Sequence, residues 1–101
     1  MHITIDKENA VVTARLDGRL DTPASIEIAP KMEALSAYAD GKIVLDCEKL
    51  AYISSSGLRL FLSLRKAAGA KGGQIIVRRI SDEIRQVFMM TGFLNLFQIE
   101  D

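Results

Sequence analysis

The sequence predicts an α/β domain, a mixed sheet of four or five strands with helices covering mainly one of its faces. Three observations carry this. Strand-like and helix-like segments alternate in the order β-β-α-β-α-β-α. One short apolar run, Ile43-Val44-Leu45-Asp46-Cys47, lacks the period of two and reads as a central strand buried on both faces. Finally, 101 residues leave room for one core only, so the chain reads as a single domain over residues 1–101.

The elements follow in order. Ile3 and Ile5 alternate with polar neighbours, as do Val12, Ala14 and Leu16, and Lys7-Glu8-Asn9 offers a turn between them, which predicts a hairpin. Thr22 is the expected N-cap of the first helix, with Pro23 at its first position and Ile26, Met32, Leu35 and Ala39 on one face. Pro30 has no N–H and crowds the preceding turn, so this helix is expected to start late or to kink there. Asp40-Gly41 closes it, and Lys42 to Cys47 forms the buried strand. From Ser55 or Ser56 to about Lys71 the residues favour helix, with Gly72-Gly73 as the stop. Gln74 to Arg79 is the next strand. Ser81 caps a last helix with Asp82 and Glu83 in its first turn and Ile84, Val87 and Phe88 inward, and Gly92 ends it. Leu94, Leu96 and Phe97 follow as a short extended or packed tail.

Composition narrows the function. Thirteen basic and thirteen acidic residues cancel, so no net field draws the chain to nucleic acid or anionic lipid. No apolar stretch approaches the roughly 20 residues of a membrane span, and the N-terminus lacks signal-peptide character, which points to the cytoplasm. The single cysteine, Cys47, reads as a small core residue of a reducing compartment. His2, the only histidine, has no second histidine or cysteine to share a metal and no place in a Ser-His-Asp triad. Gly69-Ala70-Lys71-Gly72-Gly73 follows a helix and lacks the Gly-Lys-Ser/Thr ending of a phosphate loop. No cofactor or metal is expected, and Arg78-Arg79 and Arg85 read as a solvated basic edge.

The informative stretch runs from Leu45-Asp46 through Tyr52-Ile53 to Ser54-Ser55-Ser56-Gly57-Leu58-Arg59. Here the buried strand passes into a loop, and three serines and a glycine open a helix. A helix start presents unpaired N–H groups and the positive end of the dipole, so it accepts a capping hydroxyl and favours a phosphate. Physical reasoning alone leaves both readings open, a plain N-cap or a modification site. Beyond it, Leu58, Phe61 and Leu62 suit one helical face and Leu60 and Leu64 another. That second face packs on a neighbour or forms an exposed edge beside Ser55. Arg59 reads most simply as a solvated arginine, with anchoring a partner or pairing with a phosphate as the functional readings.

These residues resemble the STAS domains, in particular the stand-alone anti-sigma-factor antagonists of bacteria, whose pattern joins a strand ending in Leu-Asp to an apolar loop and an Asp-Ser-Ser/Thr-Gly or Ser-Ser-Ala-Gly motif. Asp17-Gly18-Arg19-Leu20-Asp21 is similar to the family's Gly-x-Leu-Asp turn, and Met90-Thr91-Gly92-Phe93 with Leu96-Phe97 to its closing helix and tail. The resemblance implies a STAS-like fold and a non-enzymatic partner switch. The unphosphorylated protein binds an anti-sigma factor that is a serine kinase, phosphorylation breaks the complex, and a protein phosphatase restores it. It implies Ser55 as phosphoacceptor, with Ser54 and Ser56 as alternates, and Asp21, Ser56, Gly57, Leu58, Arg59 and Leu60 at the partner surface. Asp21 would position the acceptor or orient the loop, or else simply cap a helix or turn beside Thr22-Pro23. One departure stands out, since Ser54 occupies the place where well-studied members carry aspartate. A constitutive interaction or scaffold domain without the switch is the alternative.

Overall fold

The computed structural model describes residues 1–101. Strands β1 (His2–Glu8) and β2 (Val11–Leu20) form the expected hairpin, but Lys7 and Glu8 pair within it, so the turn is Asn9-Ala10 and not Lys7-Glu8-Asn9, with Asn9 in the left-handed region that asparagine tolerates. Helix α1 (Thr22–Leu35), a 3-10 turn (Ser36–Tyr38), β3 (Lys42–Ile53), α2 (Ser55–Lys71), β4 (Gln74–Arg78) and α3 (Asp82–Thr91) follow. A second 3-10 turn (Phe93–Asn95) leads to β5 (Gln98–Glu100), which settles the tail as a fifth strand. The strands lie in chain order, β1 antiparallel to β2 and every later neighbour parallel. This is the mixed α/β sheet that the sequence predicts.

Register explains why the helices share one face. Val12, Ile43 and Ile75 lie side by side on adjacent strands, and Ala14, Leu45 and Val77 form the next row. Side chains two residues apart point the same way, so Leu16 and Cys47 extend this surface. Ile28, Met32 and Leu35 of α1, Phe61, Leu64 and Ala68 of α2, and Ile84 and Phe88 of α3 all join the same buried cluster. Phe61 meets Phe88 and Phe97 edge to face at centroid separations of 6.3 and 6.4 Å, which pins α3 and the approach to β5 onto α2. Cys47 sits in this core with no exposed surface, and burial pushes its thiol up to about 12, so it stays an unreactive S–H.

Several boundaries differ from expectation. Asp21, not Thr22, caps α1: its Oδ1 accepts the Ala24 N–H at 2.9 Å, and Pro23 therefore falls one position later. The helix does not start late. It runs through Pro30, whose missing N–H leaves the Ile26 carbonyl without its intrahelical donor. Ile26 is 73% exposed, and Ile28, two residues on, takes the inward place. Strand β3 continues six residues past Cys47 to Ile53, replacing the expected loop. Its pairing with β2 is irregular between Arg15 and Asp17 and between Gly18 and Arg19, and Gly18-Arg19-Leu20 is strand instead of turn. In α2, Leu64 is buried while Leu62 and Leu60 are half-buried, so no Leu60–Leu64 edge is exposed. That helix stops at Gly72, whose φ of 75° is costly for other residues.

The opposite face of the sheet carries no helix and joins the buried pair Val44 and Ile76 to a charged cluster. Arg15, Asp46, Arg78 and Glu100 stand in one row across β2 to β5. Asp46 is only 3% exposed and pairs with Arg78 at 3.3 Å and with Arg79, while its Oδ1 accepts the Glu48 N–H at 3.1 Å. Arg79 leaves β4 with φ 58°, a conformation rare for a side chain of its size, and turns back to reach both Asp46 and Glu48. Arg85 pairs with Asp101. The arginines expected to form a solvated edge are thus bound in ion pairs. An ionisable residue inside an apolar strand was the signal available, because a buried carboxylate requires partners.

Burial alone would raise the Asp46 carboxyl, but Arg79, the Glu48 amide and Arg78 together hold it below its usual 3.8. A depressed carboxylate stabilises the fold fully above the unfolded value and loses that contribution as pH falls through the folded one. Asp46→Asn is expected to cost about 1.5–3 kcal/mol at pH 7, the scale of hydrogen bonds to a charged group. In urea denaturation across a pH series, the gap between wild type and variant should hold above about pH 4 and close progressively below it.

Candidate functional site

The site is built where β2 and β3 end together. Leu20 pairs with Ile53, and the Ser54 N–H donates to the Leu20 carbonyl at 2.8 Å. The next residues, Asp21 and Ser54, are the N-caps of α1 and α2, so two helix starts emerge from neighbouring parallel strands. Both are at the carboxyl ends of the strands, where α/β sheets characteristically place their sites. Gly57 fixes the spacing. A Cβ there would lie 2.8 Å from the Leu20 side chain and 3.0 Å from Ile53, so only glycine lets the first turn of α2 seat on both strand ends.

The three serines have separate fates. Ser54 is buried, its Oγ accepting the Gly57 N–H at 3.2 Å and its carbonyl accepting the Leu58 N–H at 2.9 Å. It is the cap, with its hydroxyl oxygen engaged by the first turn of α2. Ser55 is exposed at the first helical position with no hydrogen bond from its hydroxyl, and Ser56 is half-buried behind it. Asp and Ser cap helices about equally well, so Ser54 meets the capping need of this helix start without a charge.

The residues expected at a partner surface divide as well. Arg59 is exposed one turn below Ser55, and Leu60 is half-buried beside a groove between α1 and α2 lined also by Met32, Glu33 and Ser63. Gly57 and Leu58 are buried and shape the backbone from beneath. Asp21 is half-buried and occupied as a cap, which bears out that part of its reading. Two exposed features escaped the sequence reading. Ile26 projects from α1 just past its first turn, and Arg19 stacks on the half-exposed Tyr52 ring at 4.4 Å from its centroid on the paired ends of β2 and β3. The alternation of Arg19 with Leu20 and of Tyr52 with Ile53 would have indicated it had those segments been read as strand. No helix is long and apolar enough to cross a membrane, and no group of three or more His, Cys, Asp or Glu side chains converges to hold a metal ion.

The model of the STAS domain matches residues 2–101. The chain belongs to the STAS domain family. BtrV of Bordetella bronchiseptica, whose name assigns it provisionally as an anti-sigma factor antagonist, is 29% identical over 99 residues, covering 98% of this chain and 85% of its own. A STAS-domain containing protein of Pseudomonas aeruginosa is 31% identical over 88 residues, covering 87% and 86%. Among solved structures, SpoIIAA matches in both its states. The unphosphorylated anti-sigma factor antagonist superposes with a TM-score of 0.77 at 24% identity over 99% of this chain and 88% of its own. The phosphorylated form from Bacillus gives 0.74 at 25%, over 97% and 90%. Five strands in chain order with three helices on one face is the fold these STAS domains share.

The cap assignment makes a prediction of its own. Ser54→Ala should cost about 1 kcal/mol, within the roughly 0.5–2 of a lost N-cap, whereas Ser54→Asp should keep or raise stability because a carboxylate also caps and favours the helix dipole. Urea unfolding at pH 7 checks both. Equal losses in the two variants would contradict the capping role.

Proposed function

We propose that this STAS domain is an anti-sigma-factor antagonist of a partner-switching pathway, acting in the cytoplasm as a binding module and not as an enzyme. Unphosphorylated, it binds a kinase-type anti-sigma factor. That kinase transfers the γ-phosphoryl group of ATP to Ser55 Oγ, with ADP leaving and the hydroxyl proton passing to a base, and the complex dissociates. A phosphatase hydrolyses the phosphoserine and restores binding.

The observation that carries this reading is the exposed, unbonded hydroxyl of Ser55 at the start of α2, beside a buried Ser54 that is committed to capping. A phosphate at this position adds a charge of about −1.5 to −2 to the middle of the rim without disturbing the core beneath it. It therefore acts on a docked partner directly, by repulsion and by the cost of desolvating it. The surface offered to that partner comprises Asp21, Ser55, Ser56, Arg59 and Leu60, with Gly57 and Leu58 holding its shape from below. The two solved forms of SpoIIAA, one phosphorylated and one not, lend support from within the family.

Wild-type, Ser55→Ala and Ser55→Asp proteins used as baits in native cytosol test the reading, with captured proteins and phosphosites identified by mass spectrometry. A kinase-type partner should bind wild type and Ser55→Ala equally and lose at least tenfold with Ser55→Asp. Equal capture by all three baits would make the protein a constitutive interaction domain.

A further inference from the structure

The chain has seven arginines, and six of them are engaged within the fold. Arg15 pairs with Asp6, Arg78 and Arg79 with Asp46, and Arg85 with Asp101. Arg65 donates to the Leu96 carbonyl at 2.6 Å, and Arg19 stacks on Tyr52. Arg59 alone has no hydrogen bond, ion pair or aromatic contact, although it stands four residues after Ser55 on the exposed side of the same helix. Positions i and i+4 are surface neighbours, and an acidic group N-terminal to a basic one is the favourable order for such a pair. The remaining charges at this rim are already placed: the Asp21 carboxylate caps α1, and Arg19 lies against the Tyr52 ring.

We propose that a phosphate on Ser55 is captured by Arg59 of the same helix, so that phosphorylation withdraws the one uncommitted arginine from the partner surface as well as adding negative charge. This rests on the switch at Ser55 and specifies how it works. In the unphosphorylated protein Arg59 is free to reach a carboxylate of the partner, in the manner of the arginine anchors that dominate many interfaces. Once phosphorylated, the same guanidinium turns inward along α2 to a dianion whose geometry suits its paired N–H donors. The partner then loses an attraction and meets a group already satisfied by its own helix.

The test needs no kinase. Protein carrying phosphoserine at position 55, introduced during translation, is titrated by phosphorus NMR between pH 4 and 8, alongside the same protein with Arg59→Gln or Arg19→Gln. A neighbouring guanidinium favours the dianion, so the second phosphate ionisation, ordinarily near 6, should rise by about 0.3–0.5 unit in Arg59→Gln, a two- to threefold gain in proton affinity. Arg19→Gln should leave it unchanged. A value that Arg59→Gln does not move, or that Arg19→Gln moves as far, overturns the capture. Because the phosphate is installed independently, that result is separate from failure of the switch itself, which would appear as undiminished partner binding by Ser55→Asp.

Discussion

The structure depends on the parallel pairing of β2 with β3 and on where that pairing stops. Leu20 and Ile53 end the two strands opposite each other, and the hydrogen bond from Ser54 N–H to the Leu20 carbonyl carries the ladder one residue further. Both helices that follow must therefore begin at the same level, one capped by Asp21 and the other by Ser54. Gly57 lets the second of them sit directly on the strand ends. The position of Ser55 follows from this stack: with Ser54 turned down to cap and Gly57 turned in to pack, the residue after the cap faces solvent. Exposure of Ser55 is a consequence of the helix start and requires no mobile loop.

The two faces of the sheet do different work. On one, aliphatic rows and the Phe61, Phe88 and Phe97 cluster supply the burial that stabilises the domain. On the other, Asp46 is satisfied by two arginines from the end of β4, one of which takes a left-handed backbone conformation to reach it. This cluster lies on the helix-free face, while Ser55 lies on the strand-end rim above the apolar core. With that separation, the proposed phosphate on Ser55 would add charge without threatening the fold. The scaffold's own electrostatics are committed elsewhere, and Arg59 is the arginine left over.

Much of this was legible in the sequence because local rules and tertiary structure agree. The hairpin alternation, the Ser81 and Gly92 limits of α3, and the Gly72 stop of α2 all appear where cap and turn chemistry places them. Legibility failed where a tertiary constraint overrides a local one. Glu48-Lys49 interrupts the apolar run, so β3 seemed to end at Cys47, yet pairing with the second half of β2 extends it to Ile53. Pro30 suggested a late start or a kink, but the helix already begins at Thr22, and the missing donor falls at the carbonyl of the solvent-facing Ile26, where water can satisfy it. In α2, spacing did not distinguish Leu62 from Leu64 as the core residue, a choice made by the packing of α1 and the sheet around it. At the site itself, the serine motif and its position were readable, whereas the division of labour between Ser54 and Ser55 depends on cap geometry that three consecutive serines do not reveal.

We propose that the helix start commits one serine to structure and presents the next for modification. Mass-spectrometric mapping of phosphate on the protein isolated from its native cells, with fragmentation that separates adjacent serines, tests it most directly. Phosphate is expected on Ser55 and none on Ser54. Phosphate on Ser54, or its absence from this serine run under every growth condition, would contradict it.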